Sequence, residues 1–360
     1  MIEEANSGIE DEDEQDENLT FKYSITSYGA DFDVDGLVKR IGREDIYVPD
    51  FQRRYVWNLK QASRFIESLL LGLPVPGIFL SREKGTQKLL VLDGQQRLKT
   101  LKHYYDGKFP TTGKEEKEFV LAGLNSKFNG KSINNLDSED KRRLNDSIIH
   151  ATIIKQDDPD DGDSSIYFVF QRLNTGGTQL QPQEIRRAIY HGKFNNLFIK
   201  LNENRDWRSL YGSPNVNARG RDQELILRFF ALYYEGDGYK KPMTEFLNNY
   251  MGKNRQVKIY SEEELTELFE KTLSTIDKHL GSQAFRPRKT LNAAVFDSVM
   301  VGIARRLEKG EIKDSIQLQK NHQELLNNRD YIAVTEQATS GEESVRRRIE
   351  LATEAFAQVP

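Results

Sequence analysis

The chain has no cysteine, which excludes disulfide frameworks, thiolate metal sites and cysteine nucleophiles. It has no run approaching the roughly eighteen consecutive apolar residues that a membrane-crossing helix needs. Its first residues are acidic and polar, with no basic segment leading into an apolar one, so no secretory signal is expected. A cytoplasmic location without a membrane partner fits these absences. No G-x-x-x-x-G-K-[ST] phosphate loop and no G-x-S-x-G elbow occurs. The histidines, His103, His150, His191, His279 and His322, form no pair at metal-binding spacing.

What is present is enough for one large or two ordinary domains: 360 residues, 37% of them hydrophobic. The net charge of -4 is unevenly spread. Residues 1–20 hold nine acids (Glu3, Glu4, Glu10, Asp11, Glu12, Asp13, Glu14, Asp16, Glu17) and no Lys or Arg, which leaves 52 basic against 47 acidic side chains, about +5, in the rest. The acidic segment reads as a disordered solubilising tail or as an interaction arm that mimics nucleic acid. The body could meet a polyanion or carry an ordinary surface. It lacks the basic density of a dedicated DNA-binding domain.

Apolar periodicity predicts a helix over 31–41, a strand at Ile46–Val48 stopped by Pro49, and a helix from Leu59 to Leu71. Strands follow at Ile78–Leu80 and Leu89–Leu92, joined by a polar turn through Gly85, then a helix from Gln95 to Tyr105. Residues 108–135 read as looser. A charged helix is expected from Leu136 to Ile149, opened by Asp137 or Ser138, then a strand at Ala151–Lys155 and an acidic loop over 157–163. Helices are expected at 164–173 and 182–190. Beyond residue 192 the pattern is helical, over 195–203, 221–235, 242–251, 261–280, 291–308, 314–326 and 341–357. The expected fold is α+β: an acidic tail (1–20), a mixed domain (21–190) and an all-α domain (191–360).

Three segments carry candidate chemistry. In Val91-Leu92-Asp93-Gly94-Gln95-Gln96-Arg97, an apolar strand runs through Asp-Gly into a helix. Unpaired N–H groups at such a helix start favour anions. Gly94 lets the backbone approach a ligand. Asp93 could hold a metal or accept a proton, Arg97 could fork onto a phosphate, and Gln95 and Gln96 could orient a water or contact a base. The alternative makes Asp93 an ordinary N-cap. Phe51-Gln52-Arg53-Arg54-Tyr55-Val56-Trp57 interleaves arginine with aromatics, which suits phosphate contact with base stacking or a loop anchored in the core. Asn174-Thr175-Gly176-Gly177, followed by Gln181-Pro182-Gln183-Glu184-Ile185-Arg186-Arg187, is either a ligand cradle or a helix–turn–helix joint. Trp207, Tyr233, Tyr234, Tyr239 and Tyr250 read as packing residues. Arg346-Arg347-Arg348 reads as a solvated helix face.

Taken in order, Phe51-Gln52-Arg53, Ile66-Glu67-Ser68-Leu69-Leu70-Leu71-Gly72-Leu73-Pro74, Asp93-Gly94-Gln95-Gln96-Arg97, Arg172-Leu173-Asn174-Thr175-Gly176-Gly177 and Glu184-Ile185-Arg186 resemble the N-terminal domain of GmrSD-type modification-dependent restriction endonucleases, over roughly residues 20–250. The resemblance implies a core similar to the ParB and sulfiredoxin fold. It also implies NTP binding and hydrolysis at the Asp-Gly-Gln-Gln-Arg turn, in control of restriction of modified phage DNA. Carried over residue by residue, it gives Asp93, Gly94, Gln95, Gln96 and Arg97, with Gln52 and Arg53 as flanking contacts and Glu67 on the adjoining helix. Asn174, Thr175 and Gly176 join the nucleotide-binding candidates.

The sequence departs from the fused forms of that family. A His-Asn-His nuclease domain needs clustered histidines around a metal, whereas His279 and His322 stand alone in residues 250–360. The leading expectation is an NTP-hydrolysing regulatory subunit of an anti-phage defence system. It would use Mg²⁺ held by Asp93 and Glu67, work with a separate nuclease or toxin subunit near DNA, and could oligomerise. A ParB-like metal-dependent nuclease using Asp93, Glu67 and Glu184 is the first alternative. A non-enzymatic nucleotide-switched or modified-DNA-sensing module is the second.

Overall fold

The computed structural model describes residues 9–10, 24–48, 55–83, 86–111, 117–158, 164–173 and 180–360. Gln52, Arg53, Asn174, Thr175 and Gly176 lie outside the described residues. The chain divides into two compact units, one of residues 22–160 and 165–180, the other of residues 1–21, 161–164 and 181–360.

The first described element, β1 (Ile9–Glu10), is a two-residue strand running parallel to Leu291–Asn292 of its own unit. The unit of residues 22–160 then holds, in chain order, β2 (Ser24–Asp33), α1 (Val34–Gly42), β3 (Ile46–Tyr47), α2 (Leu59–Leu70), β4 (Ile78–Arg82), β5 (Leu89–Asp93), α3 (Gln95–Tyr105), the short pair β6 (Lys108–Phe109) and β7 (Lys117–Glu118), α4 (Ser138–Asp146) and β8 (Ile148–Asp158), with α5 following at Ser164–Leu173. Five strands form one mixed sheet in the order β2-β8-β4-β5-β3. β2 is antiparallel to β8, β8 parallel to β4, β4 antiparallel to β5, and β5 parallel to β3.

Local chemistry explains most of these boundaries. α2 opens with a capping box: Asn58 accepts from the Gln61 N–H and Gln61 accepts from the Asn58 N–H, both at 3.0 Å. Its Ala62, Phe65, Ile66, Leu69 and Leu70 are buried, the i, i+3, i+4, i+7, i+8 stripe of a helix lying on a core. They join Ile78, Leu80, Leu89 and Val91 of the sheet and Leu98, Leu101 and Tyr104 of α3 in one apolar cluster.

The helix predicted over 31–41 begins at Val34. Residues up to Asp33 belong to the ten-residue β2, and Asp33 is the cap, accepting from the Gly36 N–H at 2.6 Å. The charged helix predicted to reach Ile149 ends at Asp146, because Ser147 turns extended and Ile148 joins β8 against Asp33.

The other unit is helical: α6 (Pro182–Ile189), α7 (Lys193–Asn202), α8 (Arg205–Tyr211), α9 (Arg221–Glu235), α10 (Met243–Asn254), α11 (Glu262–His279), the short β9 (Leu291–Asn292), α12 (Ala293–Leu307), α13 (Ser315–Leu326), α14 (Arg329–Glu336) and α15 (Glu342–Phe356). The architecture is mixed α+β. Among the described residues, no helix is long and apolar enough to cross a membrane. α12 is buried on nearly every face and meets α15 closely, since a Cβ on Gly302 would stand 2.9 Å from the Ala352 carbonyl carbon.

The arginine run is not uniformly solvated. Arg346 is exposed, but Arg348 is fully buried and its Nη2 donates to Asp297 Oδ2 at 2.8 Å. Arg228 clamps the same carboxylate through Nη2 at 2.5 Å and Nε at 3.0 Å. A buried carboxylate is the reason one arginine of the run faces inward. Trp207, Tyr239 and Tyr250 are buried, as expected of packing residues.

Candidate functional site

β5 delivers its last residue, Asp93, to the start of α3, and the turn between them is a single glycine. Gly94 sits at φ +96°, in the left-handed region, and is the N-cap of α3. A glycine is required there twice over. The backbone conformation disfavours L side chains, and a Cβ would meet Ile78 Cγ2 at 2.4 Å. Asp93 is therefore not the N-cap. Since Gly94 supplies no side-chain acceptor, the first N–H groups of α3 have no side-chain cap, the condition under which the positive end of a helix attracts an anion.

Asp93 and Arg97 are brought together. Arg97 Nη2 donates to Asp93 Oδ2 at 2.8 Å and to the Gly77 carbonyl oxygen at 2.9 Å. The Arg97 side chain is 15% exposed and that of Asp93 47%, so the carboxylate stands at the surface, steered from below by the guanidinium. Arg97 Nε and Gln95 Oε1 are buried and have no hydrogen-bond partner among the described residues. Buried polar atoms nearly always have partners, so this pair marks the turn as chemically incomplete by itself.

Gln96 is engaged differently. Its Oε1 accepts from the Val56 N–H at 3.0 Å, which pins the chain directly after the Gln52-Arg53 segment onto α3. Tyr55 reinforces the pin. Its hydroxyl lies 2.9 Å from Thr100 Oγ1, and its ring meets His103 and Phe109 edge-on at 5.0 and 5.8 Å. Burial pushes the Tyr55 hydroxyl up to about 12, against the lowering effect of the Thr100 bond. Of the interleaved segment, Tyr55 and Trp57 are thus loop anchors, with Trp57 packing edge-on to Phe65 at 5.7 Å.

Glu67 lies half-buried on α2. Among the described residues, no group of three or more His, Asp or Glu side chains is placed to hold a metal ion. Glu184, in the helical unit, serves as a helix cap, accepting from the Gln181 N–H at 2.7 Å, and pairs with Arg219 at 3.4 Å. Arg186 is buried and pairs with Glu224 at 2.8 Å. Sequence reasoning did not find the Gly77 carbonyl or Thr100. The first is a backbone atom with no side-chain signature, and the second sits inside α3 like any packed threonine.

A family model described as "GmrSD restriction endonuclease, N-terminal domain" matches residues 34–191. No curated protein matches the chain. The matched stretch contains β5, the Gly94 turn, α3 and the Arg97–Asp93 pair. Residues 34–191 thus form a domain similar to the GmrSD restriction endonuclease N-terminal domain.

Proposed function

We propose that this chain, a component of a restriction-type defence system by its GmrSD domain, binds and hydrolyses a nucleoside triphosphate at Asp93–Arg97. The observation that carries the reading is the α3 start, uncapped at Gly94, with an exposed carboxylate and buried unpartnered polar atoms beside it. Phosphate oxygens would accept from the first N–H groups of α3. Gln95 Oε1 offers an acceptor to the attacking water, and Asp93 stands at the surface to meet Mg²⁺. Mg²⁺ usually takes one or two carboxylates and completes its shell with phosphates and water, so Asp93 with Glu67 is chemically sufficient without a larger cluster. Positioning and charge neutralisation are most of what phosphoryl transfer requires. Gln52 and Arg53 precede the Tyr55–Val56 anchor and are proposed as flanking phosphate contacts, with Asn174, Thr175 and Gly176 as further ones.

A separate nuclease or toxin subunit would act on DNA. Consistent with this, the two histidines of the helical unit discussed above are occupied structurally. His322 Nε2 lies 2.9 Å from the Ala284 carbonyl oxygen, and His279 Nδ1 lies 2.5 Å from Ser315 Oγ.

The test is Mg²⁺-dependent release of phosphate from ATP and GTP by wild type and Asp93→Asn, with urea unfolding to confirm that the variant folds. Turnover should disappear in the variant. Equal turnover of both nucleotides by both proteins would sink the assignment. A second reading, nucleotide binding as a switch without hydrolysis, is favoured by one observation: Arg97 Nη2 already donates to Asp93 Oδ2 at 2.8 Å, so that oxygen is engaged before any water or metal ion arrives. Nucleotide binding by wild type with no turnover at all would select it.

A further inference from the structure

We propose a second oxyanion site, wholly within the helical unit, at the start of α9, which takes a phosphoryl group. Gly220 is the N-cap of α9, at φ +75°, and offers no side-chain cap. The Arg187 guanidinium lies over this end, its Cζ and Nη1 within 3.3 Å of where a Gly220 Cβ would stand, with Gln183 Cγ at 3.2 Å. A cation at the N-terminus of a helix faces the positive end of the dipole, which is unfavourable. Arg187 donates through Nε to Gln223 Oε1 at 2.6 Å, and among the described residues no carboxylate pairs with it. Desolvation by burial lowers its pKa, against the weaker pull of Asp222 and Glu184.

The nearby acids are committed elsewhere. Asp222 pairs with Arg208 at 2.9 Å, Glu224 with Arg186 and Arg221 at 2.8 Å each, and Glu184 with Arg219 at 3.4 Å. Five guanidinium groups thus share three carboxylates, and Arg187 is the one left without.

Gln183 supplies the independent sign of a ligand. It is 1% exposed, its Oε1 accepts from Arg186 Nη1 at 3.2 Å, and its Nε2 has no partner. Because Arg186 fixes the amide oxygen, the orphaned group is a donor. Asn217 Oδ1 accepts from the Arg221 N–H at 3.4 Å and Asp222 Oδ1 from the Gln223 N–H at 2.9 Å, so a guanidinium without a carboxylate ion pair and an orphaned amide donor, both beside Gly220, are the groups that call for one acceptor of negative charge. The enclosure of Gln183 favours a terminal or free phosphate over the diester of a nucleic-acid backbone. This site does not depend on the nucleotide reading of Asp93–Arg97.

The experiment is thermal unfolding of the full chain at fixed ionic strength, titrated with orthophosphate against chloride, with dimethyl phosphate as the diester arm. Wild type should show a saturable rise in Tm of about 3 °C with orthophosphate. Arg187→Gln should lose that rise while melting no lower than wild type in chloride, because it removes an uncompensated cation. Gln183→Glu keeps the acceptor for Arg186 and places a carboxylate beside Arg187. It should melt higher than wild type in chloride and ignore phosphate. A response to dimethyl phosphate equal to that of orthophosphate would move the source to a nucleic-acid backbone. No rise beyond chloride in wild type, or an unchanged rise in both variants, overturns the proposal.

Discussion

Replacing Gly94 with alanine tests the geometry of the β5–α3 turn directly. Two costs can be worked separately. Holding an L-residue in the left-handed region costs about 1–2 kcal/mol. The new Cβ would stand 2.4 Å from Ile78 Cγ2, 3.0 Å from Ile78 Cβ and 3.2 Å from Arg97 Nη2, whereas carbon atoms rest about 3.5–4.0 Å apart. The turn and β4 must therefore separate by about 1 Å, an overpacking cost of about 1–3 kcal/mol. The expected loss is about 2–5 kcal/mol.

Unfolding in urea, followed by Trp57 fluorescence in a Trp207→Phe background, reads this unit, since each unit holds one of the two tryptophans. Ile78→Ala alone should cost about 2–5 kcal/mol, because Ile78 is buried in the core. The double variant should recover about 1–3 kcal/mol relative to the sum, since the clash partner is gone. A loss from Gly94→Ala below about 1 kcal/mol would refute the strain argument as a whole. Strict additivity with Ile78→Ala would refute the clash and leave only the backbone term.

Two further outcomes follow from the structure. Asp297→Asn leaves Arg228 and Arg348 buried around a neutral amide and should cost about 3–5 kcal/mol in urea unfolding followed by Trp207 fluorescence; a loss under about 1 kcal/mol would contradict the clamp. The Tyr55 hydroxyl, raised to about 12 by burial, holds its proton in the folded state above the point where an unfolded tyrosine releases it. Its contribution to stability is whole below pH 10 and is lost as pH rises from 10 toward 12. Stability of Tyr55→Phe should fall less steeply than that of wild type across that window, and parallel curves would remove Tyr55 from the account.

Where periodicity was strong, the sequence was legible. α2, α3, α5 and α9 begin where the apolar spacing and cap residues place them, and β4 and β5 pair as a hairpin would. β2 escaped because Ile25-Thr26-Ser27-Tyr28-Gly29 is exposed throughout, while Ala30 and Phe32 further along pack partly against the core. Even Ile25 and Tyr28 are 39% exposed, so no period-two pattern marks the strand. α8 and α14 are seven and eight residues long, too short for a helical stripe to stand out, although Asn204 and Asn328 cap them.

At the site, Asp93, Gly94 and Arg97 were legible as a strand–turn–helix corner. Their division of labour was not. That Arg97 reaches back to Gly77, and that Gln96 braces Val56, are contacts across twenty and forty residues of chain, which no local pattern encodes. Arg348 was misread for the same reason, since its partner Asp297 lies fifty-one residues away.

The outer position of β2 also sets a timetable. Among the described residues its strand neighbour is β8, and the closest pair in sequence, Asp33 with Ile148, is separated by about 115 residues. At a synthesis rate of about 5–20 residues per second, β2 waits roughly 6–23 s for a partner. A strand with a sticky apolar face would spend that interval open to any passing edge. The serine, threonine and aspartate residues that hid β2 from periodicity are what let it wait in water, so its poor legibility and its safe assembly have one cause.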